Sequence, residues 1–539
     1  MRNGDGAGRI PGRTFAARFA PLLLALVLLA VYLLGLHPGV DAGDSAELQL
    51  NAPLLGICHP PGYPVEITIG RLWILLPFGG SIAWRMNLLM AVMGVLGCLA
   101  LYGSVRRITG QVLPGAVSAL LLGLSGVYWS HCLVAEAYVF YGAFLLIGLY
   151  AAVRAFDGGG PAWLLGASLF VGIAVWDRPS ELFVLPAFGI LGYLLRDRLR
   201  LTRKGAAATL ALFILPFVFS VGCYLVRNQP GRLALRDDAQ RDEILQDVSK
   251  EISRGYGPHP TALGKIGKAA GYCLGLNWTT NPRLRLSVAG RSLVDYASML
   301  TGAGVFGVRS GSDEQGPSRR NNMGTSIGLA GLILAVAAAR VRKRHRAWVA
   351  FGLALFGGNL LFVLWHHSWD NMTFTVPGVA GLAILAGLGL ARGDESGGGR
   401  FRHLRTATAA AAVLFLLLVN FTAVGRKGES ERSAIAFGRE VASAPWPGQS
   451  VILCSYWPAM TFRYVLYIEG GRRDVQVLCA APSNYMKLIR HFTAEGRSVF
   501  LLAAEVAAAR REGLARATQP GIESVGFLLA NPTARAQGR

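Results

Sequence analysis

Phe19-Ala20-Pro21-Leu22-Leu23-Leu24-Ala25-Leu26-Val27-Leu28-Leu29-Ala30-Val31-Tyr32-Leu33-Leu34-Gly35-Leu36 runs between Arg18 and His37 without one charged side chain. As a helix rising about 1.5 Å per residue, such a run spans roughly the 30 Å of a bilayer's hydrocarbon. Residues 86–104, 325–339, 373–391 and 406–425 read the same way. The whole chain agrees. Of its 539 residues, 53% are hydrophobic and 16% are charged, against about 25% charged in an ordinary soluble domain, and the mean hydropathy is +0.42. The fold class is a polytopic α-helical membrane protein.

The net charge of +22 sets topology rather than marking a nucleic-acid surface, because the cations fall in short clusters between apolar runs. Arg2, Arg9, Arg13 and Arg18 precede the first run, which puts the N-terminus inside. A signal peptide would share that basic start, but no small-residue cleavage site follows. Spans are expected at 17–36, 84–104, 112–130, 136–154, 162–176, 180–195, 206–226, 324–340, 347–366, 373–391 and 406–425, about 11 transmembrane helices. Every second loop is then basic: Arg106-Arg107, Arg154, the cluster from Arg196 to Lys204, the cluster from Arg340 to Arg346, and Arg392 to Arg405. Segment 64–78 carries Glu66 and Arg71 and reads as an interfacial helix, while 264–308 leaves room for one further pair of spans. Two units are expected, a transmembrane domain over 1–425 and a small α/β domain over 426–539. In the latter, β-rich runs at 450–454, 475–478, 498–502 and 524–530 alternate with helical stretches at 456–468, 483–494 and 503–512. An odd number of spans puts this tail outside. Cys58, Cys98, Cys132, Cys223, Cys273, Cys454 and Cys479 show neither paired metal-ligand spacing nor a disulfide framework.

With the topology drawn from cations, the acids gather on the other side: Asp41, Asp44 and Glu47 in the first external loop, then Glu136, Asp177 and Asp370 at external ends. Arg71, Arg85, Arg178 and Arg227 lie there too, against the positive-inside bias. Arginine grips phosphate bidentately and keeps its charge, which suits a lipid-phosphate headgroup, although snorkelling or pairing with a neighbouring acid is the plainer use. The first loop is the densest stretch, Gly43-Asp44-Ser45-Ala46-Glu47-Leu48 followed by His59-Pro60-Pro61-Gly62-Tyr63-Pro64. Three prolines and a glycine in six residues enforce a rigid turn that brings His59 back toward the carboxylates.

This pair of motifs resembles the hallmark of the protein O-mannosyltransferase-like family, a former domain of unknown function in the GT-C superfamily of membrane glycosyltransferases. Asp44, Ser45, Glu47, Leu48 and His59 to Pro64 match, and Ala46 replaces a glycine. Arg85 with Asn87, Trp129-Ser130 with Glu136 and Tyr138, and Gly471-Arg472-Arg473-Asp474-Val475 resemble further elements. Asp177-Arg178 stands where the family has Asn-His, and the Trp-Gly-x-Pro element expected around 227–260 is not recognisable.

The resemblance implies a GT-C-like fold and transfer of a sugar, mannose being the family's choice, from a polyprenyl-phosphate donor to a hydroxyl acceptor on a protein Ser/Thr or a glycan. Transfer would occur at the external face with inversion. Asp44 is expected to be the general base and Glu47 its catalytic companion. His59, Arg85, Glu136, Tyr138, Asp177 and Arg178 are expected to bind substrate, with the polyprenyl-phosphate sugar as donor substrate, no definite cofactor assigned and a divalent metal left open. A hydroxyl needs a carboxylate to take its proton, and a departing phosphate needs fixed cations. A transporter with outward-facing carboxylates is the alternative, but carriers place ionisable groups near the midplane and often repeat their halves, and neither pattern is evident. An Ala- and Arg-rich composition points to a bacterial inner membrane with a periplasmic active face.

Overall fold

The computed structural model describes residues 15–199, 201–227, 262–275, 286–301, 325–340, 345–366, 371–391, 399–424, 432–472, 474–502, 515–517 and 527–531. In chain order its helices are α1 (Phe15–Gly35), α2 (Asp44–Leu54), α3 (Pro64–Ile74), α4 (Ile82–Thr109), α5 (Val112–Gly123), α6 (Gly126–His131), α7 (Ala137–Arg154), α8 (Pro161–Trp176), α9 (Leu185–Leu194) and α10 (Arg203–Arg227). They continue with α11 (Ala262–Cys273), α12 (Leu286–Thr301), α13 (Gly328–Ala337), α14 (Arg346–Trp365), α15 (Val376–Leu390), α16 (Gly399–Ala423), α17 (Arg432–Ser443), α18 (Tyr456–Tyr464) and α19 (Tyr485–Ala494).

Each expected span falls on described helix, but among the described residues only seven are long and apolar enough to cross a bilayer alone. The stretches Val112–Gly123, Pro161–Trp176, Pro179–Leu194 and Gly328–Ala337 are shorter. The third expected span, 112–130, is two helices rather than one. Between α5 and α6 the chain breaks, and the buried Asn420 of α16 donates to the carbonyls of Leu124 and Thr325, both at 2.7 Å, and accepts from the Thr325 amide. A break in a membrane helix persists where a neighbour satisfies the freed backbone groups. α3, at 11 residues, is too short to span, as its charges predicted. Within 264–308 the described helices α11 and α12 have 12 and 16 residues, and neither is a membrane-length apolar span.

Burial sorts the helices. The window over α15 is 94% buried and that over α7 83%, whereas the windows over α1, α10 and α16 are 17–22% buried and turn Leu22, Leu23, Leu34, Val218 and Leu418 outward. An apolar exterior around an apolar centre is what lipid as solvent permits. Arg107, Asp157, Arg198 and His345, from four loops expected on the same side, line one cavity of about 230 Å³, so alternate loops do meet at one end of the bundle.

The tail forms β1 (Val451–Cys454), β2 (Gln476–Cys479), β3 (Val499–Leu502), β4 (Ala515–Ala517) and β5 (Phe527–Asn531) in the order β2-β1-β3-β5-β4. β1 pairs parallel with β2 and β3, while β5 runs antiparallel to β3 and β4. β4 and α17 had no counterpart in the sequence reading, and the helix expected at 503–512 and the boundary at 425/426 lie outside the described residues. Side chains alternate across the sheet. Val451, Leu453, Leu478 and Leu501 pack with Tyr485, Leu488, Ile489 and Phe492 of α19. Ile452, Cys454, Val477 and Phe500 share a second core with α18 and with Val40, Ala46, Leu50 and Ala83. That second core welds the tail to α2 and the start of α4.

Candidate active site

Gly43 enters α2 at φ 64°, and Asp44 and Glu47 occupy the helix's first turn, where the amide dipoles favour negative charge. Spaced three apart, the two acids share one face. Gly43 has a second reason to be glycine, since a Cβ there would stand 1.9 Å from the Trp457 ring of α18.

The proline turn returns His59 to that face. Its backbone amide donates to Glu47 Oε1 at 2.9 Å, and its Nδ1 lies 2.5 Å from Glu47 Oε2. The Tyr63 hydroxyl is 3.3 Å from its Nε2. Burial alone would lower the imidazole pKa, but the charges of Glu47 and Asp44 and the Glu47 hydrogen bond outweigh it and lift it to about 9, so His59 is an imidazolium at neutral pH.

Tyr456, the first residue of α18, completes the group. Its hydroxyl is 3.0 Å from Asp44 Oδ1, 3.0 Å from Glu47 Oε2 and 3.2 Å from His59 Nδ1. Sequence reasoning missed it; its one signal was its position just after a predicted strand, too common a setting to single out a tyrosine.

The other expected residues form the wall beside this cluster. Ser45 donates to Glu136 at 3.1 Å. Arg178 lies with its guanidinium carbon 3.7 Å from the Tyr138 ring centre and 4.8 Å from that of Phe374, and its Nε donates to Ser180 at 3.1 Å. Asp177 accepts from the Val65 amide at 2.9 Å, the Tyr141 hydroxyl at 2.6 Å and Ser220 at 3.1 Å; burial pushes its carboxyl up to about 6 against those bonds. Glu66 of α3 is fully buried with no hydrogen-bond partner for either carboxylate oxygen among the described residues, and burial followed by the charge of Asp177 raises its pKa well above the carboxylate range.

Arg85 is employed differently. It donates to the carbonyls of Ile74 at 2.9 Å and Leu76 at 3.5 Å, while its own carbonyl accepts from Trp73, so it ties the end of α3 to α4. Asn87 uses its whole amide, donating to the carbonyls of His37 and Gly39 and accepting from Gln49 and the Ala135 amide, all within 3.0 Å. Arg472 forks onto Asp474 with two bonds of 2.9 Å at the tail's surface. Asp370 lies outside the described residues. Among the described residues no group of three or more His, Cys, Asp or Glu is arranged to hold a metal ion.

The helical arrangement is similar to that of a solved membrane protein, ArnT. ArnT from Cupriavidus metallidurans, in its undecaprenyl phosphate-bound crystal structure, superposes with a TM-score of 0.53 at 13% identity, covering 98% of this chain and 100% of that one. Residues 44–201 match the model of the protein O-mannosyl-transferase TMEM260 N-terminal domain. Protein O-mannosyl-transferase TMEM260 of Mus musculus is 26% identical over 530 aligned residues, 91% of this chain and 67% of that protein. The Dictyostelium discoideum protein O-mannosyl-transferase tmem260 is also 26% identical, over 25% of this chain and 18% of its own length. The resemblance seen in the first loop is thereby borne out, as is the expectation of a GT-C-type glycosyltransferase of the protein O-mannosyltransferase-like kind.

Proposed function

We propose that this chain transfers a sugar, mannose by analogy with its relatives, from a polyprenyl-phosphate donor to a hydroxyl acceptor at the external membrane face, inverting the anomeric carbon. The observation that carries the reading is the convergence of Asp44, Glu47 and His59 on one another within hydrogen-bond reach of the Tyr456 hydroxyl. Asp44 takes the acceptor proton, since Glu47 is already paired with His59. The imidazolium of His59 and the guanidinium of Arg178 face the leaving phosphate, as fixed cations that need no reorganisation when charge develops. Glu136 and Tyr138 line the sugar side. Arg85 acts one step back, by holding α3.

The proposal of the external face is supported by the basic loops, four of which supply residues to one cavity at one end of the bundle. On this reading the tail lies on the opposite side with the site, and the Ala- and Arg-rich composition supports a bacterial inner membrane with a periplasmic site. Acceptor classes are protein Ser/Thr and glycan hydroxyls.

The test is transfer from polyprenyl-phosphate mannose to a Ser/Thr-rich peptide by the full chain in proteoliposomes. Wild-type protein should transfer, and Asp41→Asn should match it, because that side chain caps the Ala42 amide. Donor left intact by wild-type protein would overturn the reading. Reporter fusions at Arg198 and near Gly448 should report opposite sides, and agreement between them would overturn the topology.

A further inference from the structure

The tail is not a passenger on the membrane domain, because a residue of α18 reaches the carboxylates that the first loop presents. We propose that Tyr456 is a positioning residue of the transfer reaction, its phenol proton shared between Asp44 and Glu47 so that the two carboxylates are held side by side with Asp44 aimed at the acceptor. This rests on the reading of Asp44 as the base.

The hydroxyl has one proton and two carboxylate oxygens at 3.0 Å. His59 Nδ1 is directed to Glu47, so the phenol is the one side-chain donor that the described structure brings to Asp44. Burial, then Glu47 and Asp44, keep Tyr456 protonated, which preserves it as a donor. Two carboxylates aimed at one point repel each other, and the shared phenol proton offsets that repulsion on the Asp44 side, while the amide and Nδ1 of His59 are given to Glu47. The groups facing them are known: His59 and Tyr63 from the turn, Glu136 through Ser45, and Arg178 and Glu66 from the wall. On α18 itself Arg463 turns away to the Val477 carbonyl and Tyr464 to the Ala83 amide. Docking of α18 is held separately, by Thr461 on the Asp41 carbonyl, Tyr464 on Ala83 and Trp457 over Gly43. The phenol hydroxyl is therefore not needed to seat the tail.

The experiment compares Tyr456→Phe with Thr461→Val in the full chain in proteoliposomes, using polyprenyl-phosphate mannose and a Ser/Thr-rich peptide. In Tyr456→Phe, kcat should fall about tenfold, as expected for one lost hydrogen bond to a charged group. KM for the donor should hold, and the acid limb of the rate profile should move up by about one pH unit. Thr461→Val should lower the melting temperature and leave the acid limb in place. In parallel, labelling of the Asp44 peptide by a carbodiimide, which reacts with protonated carboxyls, should extend to higher pH in Tyr456→Phe, and this readout requires no transfer activity. An unmoved labelling profile overturns the role of Tyr456 even if wild-type protein is active. A moved profile in protein that transfers no sugar keeps the carboxylate bridge and overturns the functional reading instead. Equal shifts in both variants would make Tyr456 a docking residue only.

Discussion

Two acidic clusters lie at the same end of the bundle and are used in opposite ways. Asp177 spends both oxygens on three donors, the Val65 amide, Tyr141 and Ser220, and so fixes the start of α3 to α7 and α10. Asp44 meets a single phenol and is only partly buried, which leaves acceptor capacity for a substrate hydroxyl. A carboxylate that is saturated from within is an anchor; one that is left half-satisfied at an open edge can do chemistry.

The largest test of that contrast is to remove each charge. Asp44→Asn keeps the size and loses the basicity, so turnover should fall on the order of 10²–10⁴ with donor binding and melting temperature nearly unchanged. Asp177→Ala strands three buried partners and should destabilise the protein by about 2–4 kcal/mol, read by thermal unfolding in detergent. If Asp177→Ala melted like wild type while Asp44→Asn unfolded, the two roles would have to be exchanged.

Much of this arrangement was legible in the chain. Uncharged runs located the helices because lipid tolerates few charges, and Gly43 to Glu47 with the proline turn located the pair Asp44 and His59 because a rigid turn fixes direction locally. Tyr456 was illegible for a physical reason: it reaches Asp44 across 412 residues of separation, and no local pattern encodes which surface a sheet domain lays on a loop. The broken third span had a signal that went unread, Asn420, the one side-chain amide in the apolar run 406–425, a polar group in lipid that must find a partner. Arg85 marks the limit in the other direction, since a place beside Asn87 in a family-like motif does not distinguish a phosphate ligand from a backbone tie.

A smaller effect concerns the cations. Arg178 lies over the rings of Tyr138 and Phe374, which meet edge to face, a setting a lysine cannot reproduce because an ammonium neither stacks nor forks. Arg178→Lys should weaken donor affinity by about tenfold, measured by titrating labelled polyprenyl-phosphate mannose, with little change in the acid limb. His59 should show itself in pH dependence. Its folded pKa, about 9, exceeds the ordinary 6.5, so its protonation contributes stability that is fully present below pH 6.5 and is lost as pH rises through 9. Thermal melts of wild-type protein should decline across that window, and His59→Gln should flatten the decline. A slope of equal size in both would take the imidazolium out of the cluster.

The smallest expected effect is at Arg85, and it sharpens the contrast between anchoring and acting. Its guanidinium already serves the carbonyl of Ile74, one of the acceptors that a helix leaves at its C-terminal end, and at 3.5 Å that of Leu76, which also accepts from the Phe78 amide. A lysine can reach the same carbonyls as a compact donor, so Arg85→Lys should cost under about 1 kcal/mol of stability and leave donor affinity within about twofold of wild type. Arg85→Ala should loosen the α3 end and show as faster amide exchange across 70–80, again with donor binding held. Were Arg85→Lys instead to lose donor binding as strongly as Arg178→Lys, the guanidinium would have to leave its helix-end carbonyls when the lipid phosphate arrives, and Arg85 would move from the anchoring set to the acting one.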